Sequence, residues 1–246
     1  MAGDTMSALI YSLHNHTPFS DGAYTIDELC EAHLKLDGVQ IAGVGISDHL
    51  FCTPASRAVS SEREFEQLFA AETRRYMAGV AEARRRWEGR LRVLCGCEVD
   101  WQRNRELLTP LRELVTGMDY VLFKNVDWAG VTRLANQSRR WPCPVGLSAV
   151  QVSRQFPNTS LEQVVRTLAN ARIFYEMSTP LLPLSPADPW FNLLPRHRVR
   201  VSFGADTHDD LSVLHDVPRL VDYAQQRGLA GRLLDFEPSL ARAAPS

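Results

Sequence analysis

Two segments at opposite ends of the chain carry polar residues at a spacing that can chelate an ion. His14-Asn15-His16 closes one short apolar run, and Asp206-Thr207-His208 closes another. On an extended strand residues i and i+2 point the same way, so each pair can offer two ligand atoms to one cation. Asp48-His49 ends a third apolar run, Glu98 ends a fourth with Asp100 beyond it, and Asp21 follows the first pair. Four of the chain's 7 histidines (His14, His16, His49 and His208) fall in these places. Imidazole nitrogens and carboxylate oxygens are the ligands of zinc, manganese and iron, at roughly 2.0–2.2 Å for zinc. Several carboxylates in one cluster favour more than one ion, because a carboxylate can bridge two.

Such groups converge only if the elements carrying them share one end of a fold. The apolar, β-branched runs are Leu9–Leu13, Val39–Ile46, Leu91–Val99, Tyr120–Phe123, Val145–Leu147, Ile173–Met177 and Val199–Phe203. Helical patterns separate them, which predicts parallel strands joined by helical crossovers in an α/β fold. Helix starts are marked by capping boxes at Thr25–Glu28, Ser61–Glu64 and Ser160–Gln163, and helix stops by Gly38 and Gly89. An open sheet with a dinucleotide site would need a complete glycine fingerprint; Gly43-Val44-Gly45 lacks the third glycine. A closed barrel fits better, since barrels build their sites at the C-terminal ends of many strands. With no linker and no repeat, residues 1–246 are expected to form one domain.

Bulk composition bounds the partners. The chain has 246 residues, 45% of them hydrophobic, enough for a sizeable core. A formal net charge of −2 gives no electrostatic case for nucleic acid or an anionic membrane. No apolar run of about 18 residues exists, and the N-terminus lacks a signal-peptide pattern, so a cytoplasmic protein without a membrane span is expected. The 5 cysteines have no repeated spacing and read as reduced thiols; Cys95-Gly96-Cys97 is the weaker metal signal.

Leu13-His14-Asn15-His16-Thr17-Pro18-Phe19-Ser20-Asp21-Gly22 resembles the opening motif of the PHP (polymerase and histidinol phosphatase) superfamily. Gly45–His49, Leu94–Asp100 and Phe203–His208 resemble its later motifs in the same order, and the likeness is strongest to the histidinol-phosphatase branch. The resemblance implies a distorted seven-stranded (βα)7 TIM-like barrel that binds divalent metals and hydrolyses a small-molecule phosphoester. It implies that His14, His16, Glu98 and Asp206 hold one ion and Asp21, His49 and His208 another, with Glu98 bridging to a middle ion. The two histidines that usually complete the middle site are missing, near Val126–Asp127 and at about Ala149. Two substitutes stand open: Asp127 as an oxygen ligand, or Lys124 as an ammonium in place of the ion's charge.

The expectation is therefore a phosphatase with two divalent ions (zinc, manganese or iron). Glu98, Asp206 and His208 are its catalytic candidates, and Lys124, Arg154 and Arg57 would hold the phosphate of a small phosphorylated substrate. The alternatives are a degenerate, non-catalytic protein on the same scaffold, or an enzyme of altered metal content running a different reaction in a specialised pathway. An interaction domain without metal is the third.

Overall fold

The computed structural model describes residues 9–50, 62–148, 150–185 and 188–236. The short apolar runs form strands β1 (Ile10–Ser12), β2 (Ile41–Ile46), β3 (Arg92–Cys95), β4 (Glu98–Asp100), β5 (Val121–Lys124), β6 (Val145–Leu147), β7 (Phe174–Ser178) and β8 (Val201–Gly204). They make one parallel sheet in the order β3-β2-β1-β8-β7-β6-β5-β4. The longer intervening helices are α1 (Ile26–Leu34), α2 (Glu62–Arg86), α4 (Leu108–Leu114), α5 (Trp128–Gln137), α7 (Leu161–Ala171), α8 (Trp190–His197) and α9 (Val217–Gln226), with short turns of helix α3 (Trp101–Asn104) and α6 (Val152–Gln155). The fold is a curled α/β sheet surrounded by helices, a distorted TIM-like barrel. Among the described residues no helix is long and apolar enough to cross a membrane.

Eight strands form where seven are expected, because Leu91–Val99 breaks at Gly96-Cys97. The aromatic ring of Tyr120 occupies the space there: a Cβ on Gly96 would lie 2.2 Å from it. Tyr76 Oη sits 2.9 Å from the Ile46 carbonyl and 2.7 Å from that of Gly96, donating to one at a time. The two halves of the kinked segment then pair on opposite sides, β3 with β2 through Ile46↔Cys95 and β4 with β5 through Glu98↔Leu122. One piece of chain thus supplies both ends of the sheet order and draws the curl together. The His49↔Glu98 bridge continues the contact at the rim.

Strand alternation sorts the core into two compartments. Val93 and Cys95 pack outward under the helices, while Leu94 joins Tyr11, Leu13, Tyr120, Leu122 and Phe174 inside the curl. Burying each such side chain stabilises by about 1.5–3 kcal/mol before entropy is counted. The capping box at Thr25 forms in both directions: Glu28 N donates to Thr25 Oγ1 (3.3 Å) and Thr25 N to Glu28 Oε2 (2.8 Å). Ser160 Oγ accepts from Gln163 N at 3.2 Å and starts α7. The box expected at Ser61 begins outside the described residues.

Candidate metal centre

The segments that follow β1, β2 and β8, together with Glu98 as the first residue of β4 and not the last of a strand, carry the imidazoles and carboxylates to one rim. Backbone hydrogen bonds extend the parallel ladders past the strands: Asp206 N to His14 O (2.8 Å), His16 N to Thr207 O (3.0 Å) and Ser47 N to Asn15 O (2.9 Å). Asn15 points away from its two histidine neighbours and ties three strand ends together. Its amide donates to Ser12 O (3.2 Å) and Gly45 O (3.0 Å), and its carbonyl accepts from Thr207 Oγ1 at 3.1 Å. Asp206 has a left-handed backbone (φ 54°), a conformation that aspartate tolerates better than most residues. The turn brings its Oδ1 to 3.3 Å from His14 Nε2 and 3.2 Å from His16 Nε2.

Two groups of ligand atoms converge within 4.8 Å among the described residues: His14, His16 and Glu98, all buried, and His16, Asp21, His49 and His208, nearer the mouth. In the first, His14 Nε2 is 3.3 Å from Glu98 Oε1. In the second, Asp21 faces His49 Nε2 at 3.4 Å, His208 Nε2 at 3.6 Å and His16 Nδ1 at 3.9 Å. His16 belongs to both, its ring 4.1 Å from that of His208 and 4.3 Å from that of His49.

Several supporting groups left weak or no sequence signals. Glu176, at the middle of β7, is buried and holds His14 Nδ1 at 3.0 Å. His208 Nδ1 lies 3.0 Å from the Asp206 carbonyl. Both contacts turn Nε2 toward the cluster. Asp48 is no part of either group; it accepts from Thr17 N (2.7 Å), Thr17 Oγ1 (2.7 Å) and Ser20 Oγ (2.6 Å), fixing the loop between His16 and Asp21. Ser148, after β6, donates to Glu98 Oε1 at 2.7 Å. Nothing in its spacing marks it, since a lone serine after a strand is commonplace.

The residues expected on the phosphate or middle-ion side divide. Lys124 Nζ stands 2.7 Å from Glu98 Oε2, inside the centre. Asp127 is not brought into either group; its Oδ1 accepts from Gly130 N at 2.7 Å and caps α5, which accounts for an aspartate immediately before a helix. Arg154 lies on α6 after β6 and donates to Gln151 Oε1 at 2.9 Å. Arg57 and Ala149 lie outside the described residues. Cys95 and Cys97 also stay out of the groups: burial pushes the Cys95 thiol up to about 12 and raises that of Cys97 further from ionisation.

The local charge balance calls for cations. Burial alone would lower the His14 imidazole, but Glu176, Glu98 and Asp206 outweigh it and hold His14 well above the ordinary histidine range. Burial opposes ionisation of Glu98 and Asp206, yet His14 beside both, with Lys124 and His49 on Glu98 and His16 on Asp206, keeps each well below the usual carboxylate range. His16 is pushed down to about 4 by burial, assisted by the charges of its histidine neighbours and opposed by Asp206. His14 Nε2 and His16 Nδ1 are buried with no aligned hydrogen-bond partner, whereas Glu98 Oε2, also without an aligned one, lies 2.7 Å from Lys124 Nζ and 2.8 Å from His49 Nδ1. Buried polar atoms are ordinarily paired, and a divalent cation would satisfy lone pairs gathered this way. The donor set therefore fits a nitrogen- and oxygen-liganded metal.

Comparison with known proteins bears on the family and the fold. A family model described as PHP domain matches residues 12–141. The fold is similar to that of histidinol phosphate phosphatase from Lactococcus lactis subsp. lactis Il1403, whose crystal structure is a complex with zinc, L-histidinol and phosphate. That similarity has a TM-score of 0.57 at 14% identity and covers 89% of this chain and 94% of that one. A candidate histidinol phosphatase from Listeria monocytogenes is similar at TM-score 0.55 and 13% identity, over 82% of this chain and 96% of that one. No curated protein matches the sequence.

Proposed function

The chain belongs to the PHP domain family, and from that premise we propose that it is a metal-dependent hydrolase of small-molecule phosphoesters. The observation that carries the reading is the convergence of His14, His16 and Glu98 within 4.8 Å, with His14 Nε2 and His16 Nδ1 buried and without an aligned hydrogen-bond partner. In this reading His14, His16, Glu98 and Asp206 hold one divalent ion, and Asp21, His49 and His208 hold a second. Zinc, manganese and iron all suit the donors. When bound, such ions supply Lewis acidity toward phosphoryl oxygens and lower the pKa of a coordinated water.

The protein's own groups do the rest. Glu98 and Asp206 remain ionised, so they bind cations and do not donate protons. Glu176 orients His14, and the Asp206 carbonyl orients His208. Lys124, ending β5 at the rim, contributes an ammonium to a phosphoryl oxygen, and Arg154 on the α6 turn is the second candidate for that task. L-Histidinol phosphate is the first substrate to try, because the Lactococcus lactis structure holds L-histidinol and phosphate.

The test is phosphate release from a panel of phosphomonoesters by protein loaded with Mn²⁺, Zn²⁺ or Fe²⁺. Turnover should depend on the added ion and vanish with a chelator. A variant with both His14→Ala and His16→Ala should lose metal retention and turnover together, each by at least about 100-fold. Turnover that survives in that variant, or in chelator, would place the chemistry elsewhere.

A further inference from the structure

Among the described residues, Lys124 is the one lysine in the centre, and its position bears on how many metal ions the centre accepts. Lys124 and Leu122 are two apart on β5, and Leu122 faces the interior of the curl. Lys124 therefore points inward at the rim, with its side chain 28% exposed and its Nζ 2.7 Å from Glu98 Oε2. The same nitrogen is 3.2 Å from His49 Nδ1 and 3.4 Å from His49 Nε2. Glu98 Oε1 is engaged separately, by Ser148 Oγ at 2.7 Å and by His14 Nε2 at 3.3 Å.

The two oxygens of Glu98 thus have different surroundings. Oε1 faces the buried His14–His16 group. Oε2 faces the Lys124 ammonium at 2.7 Å and His49 Nδ1 at 2.8 Å, and the ammonium meets it as a point charge without an aligned hydrogen bond. A divalent ion on Oε2 would lie against that ammonium, two like charges in a poorly solvated corner. No imidazole or carboxylate on β5 or after β6 joins Glu98 among the described residues; Ser148 stands there, and Asp127 is committed to capping α5. Both convergent groups lie on the histidine side of Glu98.

We propose that the Lys124 ammonium is a resident cation of the centre, neutralising the outer oxygen of Glu98, excluding a metal ion from it and setting the complement at two divalent ions. This rests on the metal-dependent reading above and names its stoichiometry. Of the two substitutes for a middle ion that the sequence leaves open, Lys124 is the one that reaches Glu98.

The experiment counts ions. Full-length protein is stripped with chelator, desalted and titrated with Zn²⁺ calorimetrically, and the zinc retained after a second desalting is measured by elemental analysis. Wild type and Lys124→Arg, which keeps the cation, should each take two equivalents. Lys124→His and Lys124→Glu exchange the ammonium for a ligand beside Glu98 Oε2 and should take a third. A wild-type count other than two overturns the proposal, as do both exchange variants folding normally and still stopping at two. Should those variants not fold, Lys124→Ala, which removes the ammonium alone, should admit a third Zn²⁺ at Glu98 Oε2, and a count that stays at two in it overturns the proposal. A wild-type count of zero would remove the metal-dependent reading as well, whereas three would remove only the role given to Lys124.

Discussion

His14 shows how a single side chain is prepared for ligation. Its Nδ1 faces Glu176 at 3.0 Å, and its Nε2 faces Glu98 and Asp206. In metal-free protein these carboxylates favour a proton on Nε2, and a metal ion arriving there must displace it. Glu176 acts through His14, so it is a positioning residue. Replacing it with Gln keeps a carbonyl oxygen to accept from Nδ1–H, whereas Leu removes the acceptor. Glu176→Gln should bind Zn²⁺ within a few-fold of wild type, and Glu176→Leu about 10–100-fold more weakly. Equal losses in both variants, read by calorimetric titration, would show that the carboxylate charge matters and the ring orientation does not. At this scale the sequence is readable where spacing carries information. His14 and His16 announce a chelate by their i, i+2 relation, and Asp206 and His208 do the same. Ser148 and Glu176 stand alone on their strands, so only the closed sheet reveals that they touch Glu98 and His14. Asp127 illustrates the converse, an acidic residue near the rim whose local duty to Gly130 N outweighs any role at a distance.

The element that does most to shape the site is the broken strand between Arg92 and Asp100. Its kink sets Glu98 between the continuation of β2 and β5, bridged to His49 on one side and paired with Leu122 on the other, so that its carboxylate meets His49, Ser148 and Lys124. The apolar pattern of Leu91–Val99 reads as one strand because alternation continues through the break; nothing local reports that Tyr120, distant in sequence, fills the space beside Gly96. Gly96→Ala would place its Cβ 2.2 Å from that ring. Because Tyr120 is buried and its hydroxyl donates toward the Leu13 carbonyl, the ring cannot retreat cheaply. We expect a loss of about 1–3 kcal/mol in stability, measured by chemical denaturation, with Zn²⁺ affinity falling as Glu98 shifts. Unchanged stability would mean that the strand break is not set by Tyr120. The helix starts were far more legible, since a capping box such as Thr25–Glu28 is local in sequence and in space.

Over the whole molecule, a net charge of −2 conceals an uneven interior. Carboxylates and imidazoles crowd one rim, while a single imidazole, His33, is buried elsewhere, on α1. Its Nδ1 bonds the Leu29 carbonyl at 2.8 Å and its Nε2 has no partner. Burial pushes His33 down to about 4, a shift that the Leu29 hydrogen bond only partly opposes. In the unfolded chain the same ring titrates near 6.5. Between these values the unfolded state binds more protons than the folded one, so stability rises with pH across this window. The contribution is complete above about pH 6.5 and is lost as pH falls toward about 4. At pH 5 the loss amounts to about 2 kcal/mol for a group this buried. Acidification also titrates the rim, so wild type alone cannot isolate the effect. The informative quantity is the difference between wild type and His33→Leu, each unfolded in urea with chelator present. At pH 7.5 the two should differ little, and the stability of the variant relative to wild type should grow by about 2 kcal/mol on going to pH 5. A difference that stays flat across that range would mean that His33 gains a proton as readily in the folded chain as in the unfolded one, and that the acid sensitivity of the protein resides in the rim.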